Sequence, residues 1–440
     1  MTTTRHPGAP TGNQADRGPQ PRRSRKGQPQ TERTTGPAFA VVPVKRLFAE
    51  VNRNYFLLAG TTLFLVIFGL VMVLSASSVE ETSSGNDAFR VFARQGMFAV
   101  IGIPLMLIAS RLPARFWKRW AWPALLVGGG LQLLIFVPGL GLDHGGNQNW
   151  LYIGSLTVQP SEFVKIALVV WLGWVLAKKQ DLLGDWKHVF LPIAPVAGAA
   201  IGFVLLGSDL GTAFIMLAIV LSCLFFAGVR LKFLLVTVLA IAVVGFVLAQ
   251  ASLSRVERIT VWMQGCTADD YAGYCWQTLH AQWALASGGL FGVGLGNSKA
   301  KWNWLPEADN DFIFAVIGEE LGLVGAVVVL VLFIVLAIAF VRIIRATRDT
   351  FVRVVTAGVM VWVIGQAFVN IAVVLGVLPV LGVPLPLISA GGSALIATLG
   401  AIGIVLSFAR DAAATAPAEP VQQSPAQRSR LVATQRARQR

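Results

Sequence analysis

The chain has 440 residues, 55% of them hydrophobic and only 13% charged, with a formal net charge of +14. So apolar a composition, spread evenly along the chain, excludes a soluble globular protein of this size and implies an integral membrane protein. Three cysteines exclude a disulfide-stapled scaffold, four scattered histidines offer no zinc-type spacing, and the basic residues lack the aromatic interleaving of a nucleic-acid module.

Apolar runs of roughly 18 to 25 residues, enough to cross about 30 Å of hydrocarbon, begin near Tyr55, Val91, Trp120, Val164, Val189, Thr212, Phe233, Phe312, Val354 and Gly392. They predict an all-α polytopic bundle of about ten transmembrane helices over residues 54–408, with both termini on one side. Residues 1–53 and 409–440 read as disordered basic tails. No short apolar core with a small-residue cleavage site precedes Tyr55, so no cleavable signal peptide is expected. Lys and Arg gather in the N-terminal tail, at Arg111–Arg119, Lys178–Lys187, Arg230–Lys232 and Arg342–Arg353, and in the C-terminal tail. Positive charge stays cytoplasmic, which places the termini inside and the longest loop, about residues 252–311, outside.

In chain order, Arg94 opens the second helix, where two readings stand: an anchor for lipid headgroups, or a cation facing a lipid-linked phosphate. The outer loop from Gly139 ends in Gln159-Pro160-Ser161-Glu162, with Lys165 following in the next turn. Proline suits a first helical turn, and an ammonium so near a membrane helix start must face a polar groove or pair with Glu162. Asp209 precedes another helix and suits its N-cap. In the long loop, Cys266 and Cys275 form a candidate disulfide, with two free thiols as the alternative. The glycines at 288, 289, 292, 294 and 296 allow close backbone approach to a substrate's phosphates, and Lys299 and Lys301 follow them.

Glu307, Asp309 and Asp311 then crowd just ahead of the apolar run from Phe312. Asp311 sits at the start of that helix, where the helix dipole favours its ionised form and desolvation opposes it. An acid held between those pulls is what general-base chemistry on a hydroxyl requires. Glu319 and Glu320 lie about 12 to 14 Å further along the helix, at roughly 1.5 Å per residue. There they are read as structural bonds or as functional groups, with at most one facing the groove of Asp311. The last outer loop, from Gly376 to Ser393, carries Pro379, Pro384 and Pro386 and reads as a re-entrant or capping hairpin ending at Ser389, Gly391 and Gly392.

Several of these stretches together resemble one family. LPEADNDFIFAVIGEELG is similar to the L-P-E-x-x-T-D-F-I-F-A-x-x-x-E-E-x-G signature of the SEDS peptidoglycan glycosyltransferases (FtsW, RodA, SpoVE). Gln159-Pro160-Ser161-Glu162 with Lys165, Asp209-Leu210-Gly211-Thr212, and the run from Leu378 to Ser393 match further family motifs. The chain departs from them at Asp309, Asn310 and Leu381, and at Asn149, where the family carries Arg. GLVMVLSASSV in the first helix is closer to the division-type member, FtsW, than to the elongation-type member.

The resemblance implies that Asp311 is the catalytic carboxylate. It places Lys165, Arg94, Lys301, Glu307, Gln159, Ser389, Gly391 and Gly392 against the substrate. Lipid II would be the donor, a nascent glycan strand the acceptor, and a class B penicillin-binding protein the partner, with other division proteins meeting the loops and tails. The expected location is the bacterial plasma membrane at the division septum. No metal-ligating residues are assigned, and the only cofactor left room for is a divalent cation. The competing readings are an elongation-type polymerase, a lipid II flippase and a non-enzymatic division scaffold.

Overall fold

The ten apolar runs all form helices. The computed structural model describes residues 53–415, apart from 84, 145–146, 155, 251–252, 266–272, 274 and 303. Most of the two expected tails, and Cys266, fall outside the described residues. The ten are α1 (Arg53–Ser83), α2 (Arg90–Ala109), α3 (Ala114–Leu133), α4 (Pro160–Lys178), α5 (Trp186–Leu206), α6 (Leu210–Ala227), α7 (Leu231–Gln250), α10 (Ile313–Ala346), the composite α11 (Thr350–Met360) and α12 (Gln366–Val374), and α13 (Gly392–Thr415). Eight of them are long and apolar enough to span a membrane. Of the other two, α3 begins with Arg115, Lys118 and Arg119, and α7 has its apolar stretch at Leu231–Val243. Helix α13 runs through Thr415, so residues 409–415, read as tail, continue the last span.

The chain is a multi-pass membrane protein, and its buried centre is α4 with α11. Helix α11 packs between α4 and α6, α3 covers α4, α2 lies along α13, and α1 lies along α10. Outward-facing positions keep their apolar side chains: Leu191 and Leu235 are exposed, as lipid contact demands. Trp171, Trp362, Phe333, Phe340 and Phe351 fill the interior.

The loops on the rim opposite the basic turns hold more structure than their composition announces. Between α3 and α4 lies a three-stranded antiparallel sheet of β1 (Gly141–His144), β2 (Asn147–Ile153) and β3 (Leu156–Val158), an addition to the all-helical expectation. It is tied to the bundle by the Gln148 amide, which donates to Gly207 O at 3.0 Å just ahead of α6. The long loop contributes α8 (Leu253–Gln264) and α9 (Cys275–Ser287).

Helix α10 is broken at Gly322, whose backbone (φ 68°, ψ −166°) is not helical. A break at membrane depth frees backbone groups that must find partners. The glycine-rich run supplies them: Val293 N donates to Glu319 O (2.9 Å), Gly294 N to Glu320 O (3.0 Å), Leu323 N to Gly289 O (2.9 Å) and Val324 N to Leu290 O (3.2 Å). A Cβ on Gly292 would stand 2.1 Å from Glu320 O and one on Gly288 2.0 Å from Gly318 O, so the close approach these two glycines permit is to α10 itself. For Gly288 and Gly292 this replaces the expected approach to a substrate's phosphates. In the composite span, a π-helical segment at Val361–Gly365 joins α11 to α12 and sets the facing of Gln366 and Asn370.

Candidate active site

Asp311 lies on a short turn-rich segment ahead of α10. The turn closes on Glu307, whose carbonyl accepts from the amides of Asn310 and Phe312, both at 3.1 Å. Three successive carbonyls then tie it to the rest of the rim. Asp309 O accepts from Ala390 N (2.9 Å), Asn310 O from Ser389 Oγ (2.7 Å) and Asp311 O from Asn370 Nδ2 (2.7 Å). The groups that hold the segment are themselves held. Asn370 also donates to Val383 O, Ser389 Oγ accepts from Leu385 N, Ser389 O accepts from Gln95 Nε2, and Gln366 donates to Pro384 O. The last outer loop is therefore a clamp on the Asp311 turn, which gives the expected capping hairpin its physical content.

Among the described residues, three other than glycine have left-handed backbone: Ser208 (φ 66°), Glu307 (φ 55°) and Leu387 (φ 68°). One precedes Asp209, one opens the Asp311 turn and one lies in the clamp. Such conformations cost on the order of 1 to 3 kcal/mol each and persist where the surroundings over-determine them.

The Asp311 carboxylate is partly buried and accepts no hydrogen bond from the described residues. Its Oδ2 lies 3.7 Å from the point where a Cβ on Gly382 would stand, so the clamp loop passes directly against it. Burial raises its pKa from 3.8 to about 7, and the negative charges of Glu307, Asp209 and Asp309 push the same way. Among the described residues no cation opposes them. Burial and the neighbouring acids thus shift Asp311 toward neutral pH, the range in which general-base chemistry operates.

Asp209 meets its sequence reading: Oδ1 accepts from Thr212 N at 2.8 Å and caps α6. Its Oδ2 accepts from Asn149 Nδ2 (2.7 Å) and Gln159 Nε2 (3.1 Å). Asn149, fully buried, bonds further to Ser161 and Gln132. The amide that stands in the family's Arg position thus joins an uncharged donor to the network around the Asp209 carboxylate. Gln159 also donates its backbone amide to Ser393 Oγ at 3.1 Å, so it links the starts of α4, α6 and α13.

Of the expected cations, Lys165 and Lys301 are paired inside the bundle and Arg94 is exposed. Lys165 is 1% exposed, and its Nζ lies 2.8 Å from Glu162 Oε1, 3.3 Å from Gln366 Oε1 and 4.6 Å from the centre of the Trp362 ring. It does not face an open groove; an ammonium this deep needs a counter-ion, and Glu162 is one turn away. Lys301 is likewise buried, 3.2 Å from Glu320 Oε1 and from Ser75 O. Arg94 is exposed and donates to Thr157 Oγ1 of β3. Glu307 is exposed beside Asn310, at 3.2 Å. Gly391 packs near Ala394, and a Cβ on Gly392 would overlap the Phe98 ring of α2, so that glycine serves helix packing.

Glu319 and Glu320 are both structural bonds. Glu319 accepts from Ser298 Oγ, Lys299 N and Ala300 N, and Glu320 from Ser75 Oγ, with Lys301 beside it. They pin the 298–301 loop and α1 to the short segment of α10 before its break. Cys275 is buried and disulfide-bonded, while Cys223 is free. Sequence reasoning passed over Gln366 and Asn370; two amides four residues apart in an otherwise apolar span were the available signal. Among the described residues no group of three or more His, Cys, Asp or Glu could hold a metal ion, so no step is assigned to one.

The FtsW/RodA/SpoVE family model, described as "Cell cycle protein", matches residues 55–414. The probable peptidoglycan glycosyltransferase FtsW of Mycobacterium tuberculosis is 36% identical over 395 residues, 88% of this chain and 75% of that one. Stage V sporulation protein E of Bacillus subtilis is 35% identical over 80% of this chain and 96% of its own length. Among solved structures, a chain from a peptidoglycan synthase complex that coordinates polymerization and crosslinking aligns with TM-score 0.66 and 27% identity, over 81% of this chain and 97% of that chain. Thermus thermophilus rod shape determining protein RodA aligns with TM-score 0.59 and 27% identity, over 81% of this chain and 96% of its own. A family match along nearly the whole bundle, with the acidic turn and its clamp inside it, leaves one conclusion: the chain belongs to the FtsW/RodA/SpoVE family.

Proposed function

We propose that this protein is a peptidoglycan glycosyltransferase that extends glycan strands from lipid II during cell division, with Asp311 as general base. The observation that carries the reading is a carboxylate with a pKa of about 7, fixed through its own backbone and left without a hydrogen bond by the described residues. Asp311 accepts the proton of the acceptor's 4-hydroxyl. The freed oxygen attacks the donor's anomeric carbon, and the bond from that carbon to the lipid diphosphate breaks. Because Lys165 and Lys301 are paired internally, their part is to hold the scaffold: Lys165 engages Gln366, which holds the clamp at Pro384. Arg94, exposed on the same rim, is the remaining candidate from sequence to meet the leaving diphosphate.

In this reading the basic loops and both termini face the cytoplasm and the site faces outward, at the septum. The partner is a class B penicillin-binding protein that crosslinks the new strand, as the synthase-complex relative suggests. A transporter would keep its polar groups near the bilayer midplane; here the titrating acid lies at the rim. The deciding experiment uses the full chain with its partner in lipid vesicles supplied with lipid II. Polymer should form with the native chain and not with Asp311→Asn. Polymer from that variant would remove Asp311 as base, and lipid II translocation without polymer would favour the transporter.

A further inference from the structure

A cleft of 690 Å³ opens beside the Asp311 turn, bounded by α8, the first turns of α9, Pro306 and the start of the clamp loop. That volume falls within the range of small-ligand sites, about 300 to 1,000 Å³. Its inner wall reaches the chemistry directly. Pro306 precedes Glu307, and Val380 lies two residues before Gly382, against which the Asp311 carboxylate rests. Two residues of chain span no more than about 7 Å.

No charged side chain is among the described residues that form the lining. Instead it presents two indoles with amides and a hydroxyl between them. Trp262 is held in place by its Nε1, which donates to Gly376 O at 3.1 Å. Trp276 is held by stacking, its ring centre 6.1 Å from that of Trp304 at an interplanar angle of 12°. Gln282 donates weakly to Leu375 O at 3.4 Å, while the side chains of Gln277 and Thr278 make no hydrogen bond among the described residues. Fixed aromatic faces for the C–H side of a pyranose, with amide and hydroxyl groups for its substituents, suit a neutral sugar chain.

The geometry points to this cleft as a saccharide subsite of the polymerase, holding N-acetylhexosamine units next to the bond being made, apart from the lipid diphosphate. The inference rests on the glycosyltransferase reading and adds to it where the sugars lie.

The test uses the full chain in nanodiscs and a β-1,4-linked N-acetylglucosamine tetrasaccharide as probe, with binding followed by saturation-transfer NMR and calorimetry. Trp262→Ala and Gln277→Ala should each weaken binding at least about threefold, while Trp302→Ala, an exposed indole outside the cleft, should not. Gln277→Ala removes no side-chain hydrogen bond among the described residues, and an unchanged melting temperature of that variant would separate its effect from misfolding. With lipid II as substrate, the same two variants should give shorter chains. Equal binding and equal chain lengths in all four proteins would overturn the subsite and leave the polymerase reading standing. Tetrasaccharide binding that Trp262→Ala weakens, in a protein that makes no polymer, would support the subsite and remove that reading. Competition by farnesyl diphosphate, or displacement of the probe by the partner protein, would assign the cleft to the lipid end or to docking and overturn the inference.

Discussion

Asn370 Nδ2 donates at once to the backbone carbonyl of Asp311, at 2.7 Å, and to that of Val383 in the clamp loop, at 2.8 Å. One amide thus sets the distance between the turn that carries the acid and the loop that presses against it. Asn370→Ala leaves two buried carbonyls without a donor, at a cost of about 1 to 3 kcal/mol each. The expected result is a lower thermal midpoint together with a fall in kcat larger than any rise in KM, measured by melting in detergent and by lipid II polymerisation.

Replacing the acid itself separates chemistry from folding. Asp311→Asn should lower polymerisation by at least about 10²-fold, the usual range for a lost general base. The native enzyme should lose rate as pH falls below about 7, where Asp311 becomes protonated. A flat pH profile between 5.5 and 8, about the range that spans that pKa, would contradict the assignment.

The same shift has a stability consequence of opposite character. The folded chain holds this proton more tightly than the unfolded chain, whose Asp titrates near 3.8. The resulting stabilisation is full below about pH 4 and is lost as pH rises through about 7. Asp311→Asn should therefore match the native chain near pH 4 and exceed it at pH 8, by an amount on the order of 1 to 3 kcal/mol. Melting temperatures of the two proteins at both pH values would show it.

Glu162 and Lys165 form a buried pair whose second carboxylate oxygen, Oε2, finds no partner among the described residues. Lys165→Met strands a charge and should cost about 3 to 5 kcal/mol, whereas Glu162→Met with Lys165→Met together should recover most of that. If stability returns in the double variant and polymerisation does not, the pair positions the site as well as holding the bundle.

At the break in α10, Gly292 adopts φ +81° with Glu320 O where a side chain would begin. Gly292→Ala should destabilise by at least about 2 kcal/mol, and more than an alanine at Gly296, which has open space at a similar φ. Comparing the two variants by thermal melting separates steric conflict from backbone strain.

The sequence alone determined that the chain lies in a membrane, where its ten helices run, and that the acid at Asp311 heads one of them. Those follow from local composition, because a long apolar run has few alternatives to a spanning helix and an acid beside one is conspicuous. The partners of each charge could not be read the same way. Glu162 was visible one turn from Lys165, but whether the pair faced a groove or the interior depended on Trp362 and Gln366, about two hundred residues away. Lys301 and the glycines likewise looked like phosphate ligands until the break at Gly322 brought their segment against α10. Only the tertiary structure decided these, because in a low-dielectric interior each buried charge and each freed backbone group is satisfied by whatever the fold brings within about 3 Å, regardless of separation along the chain.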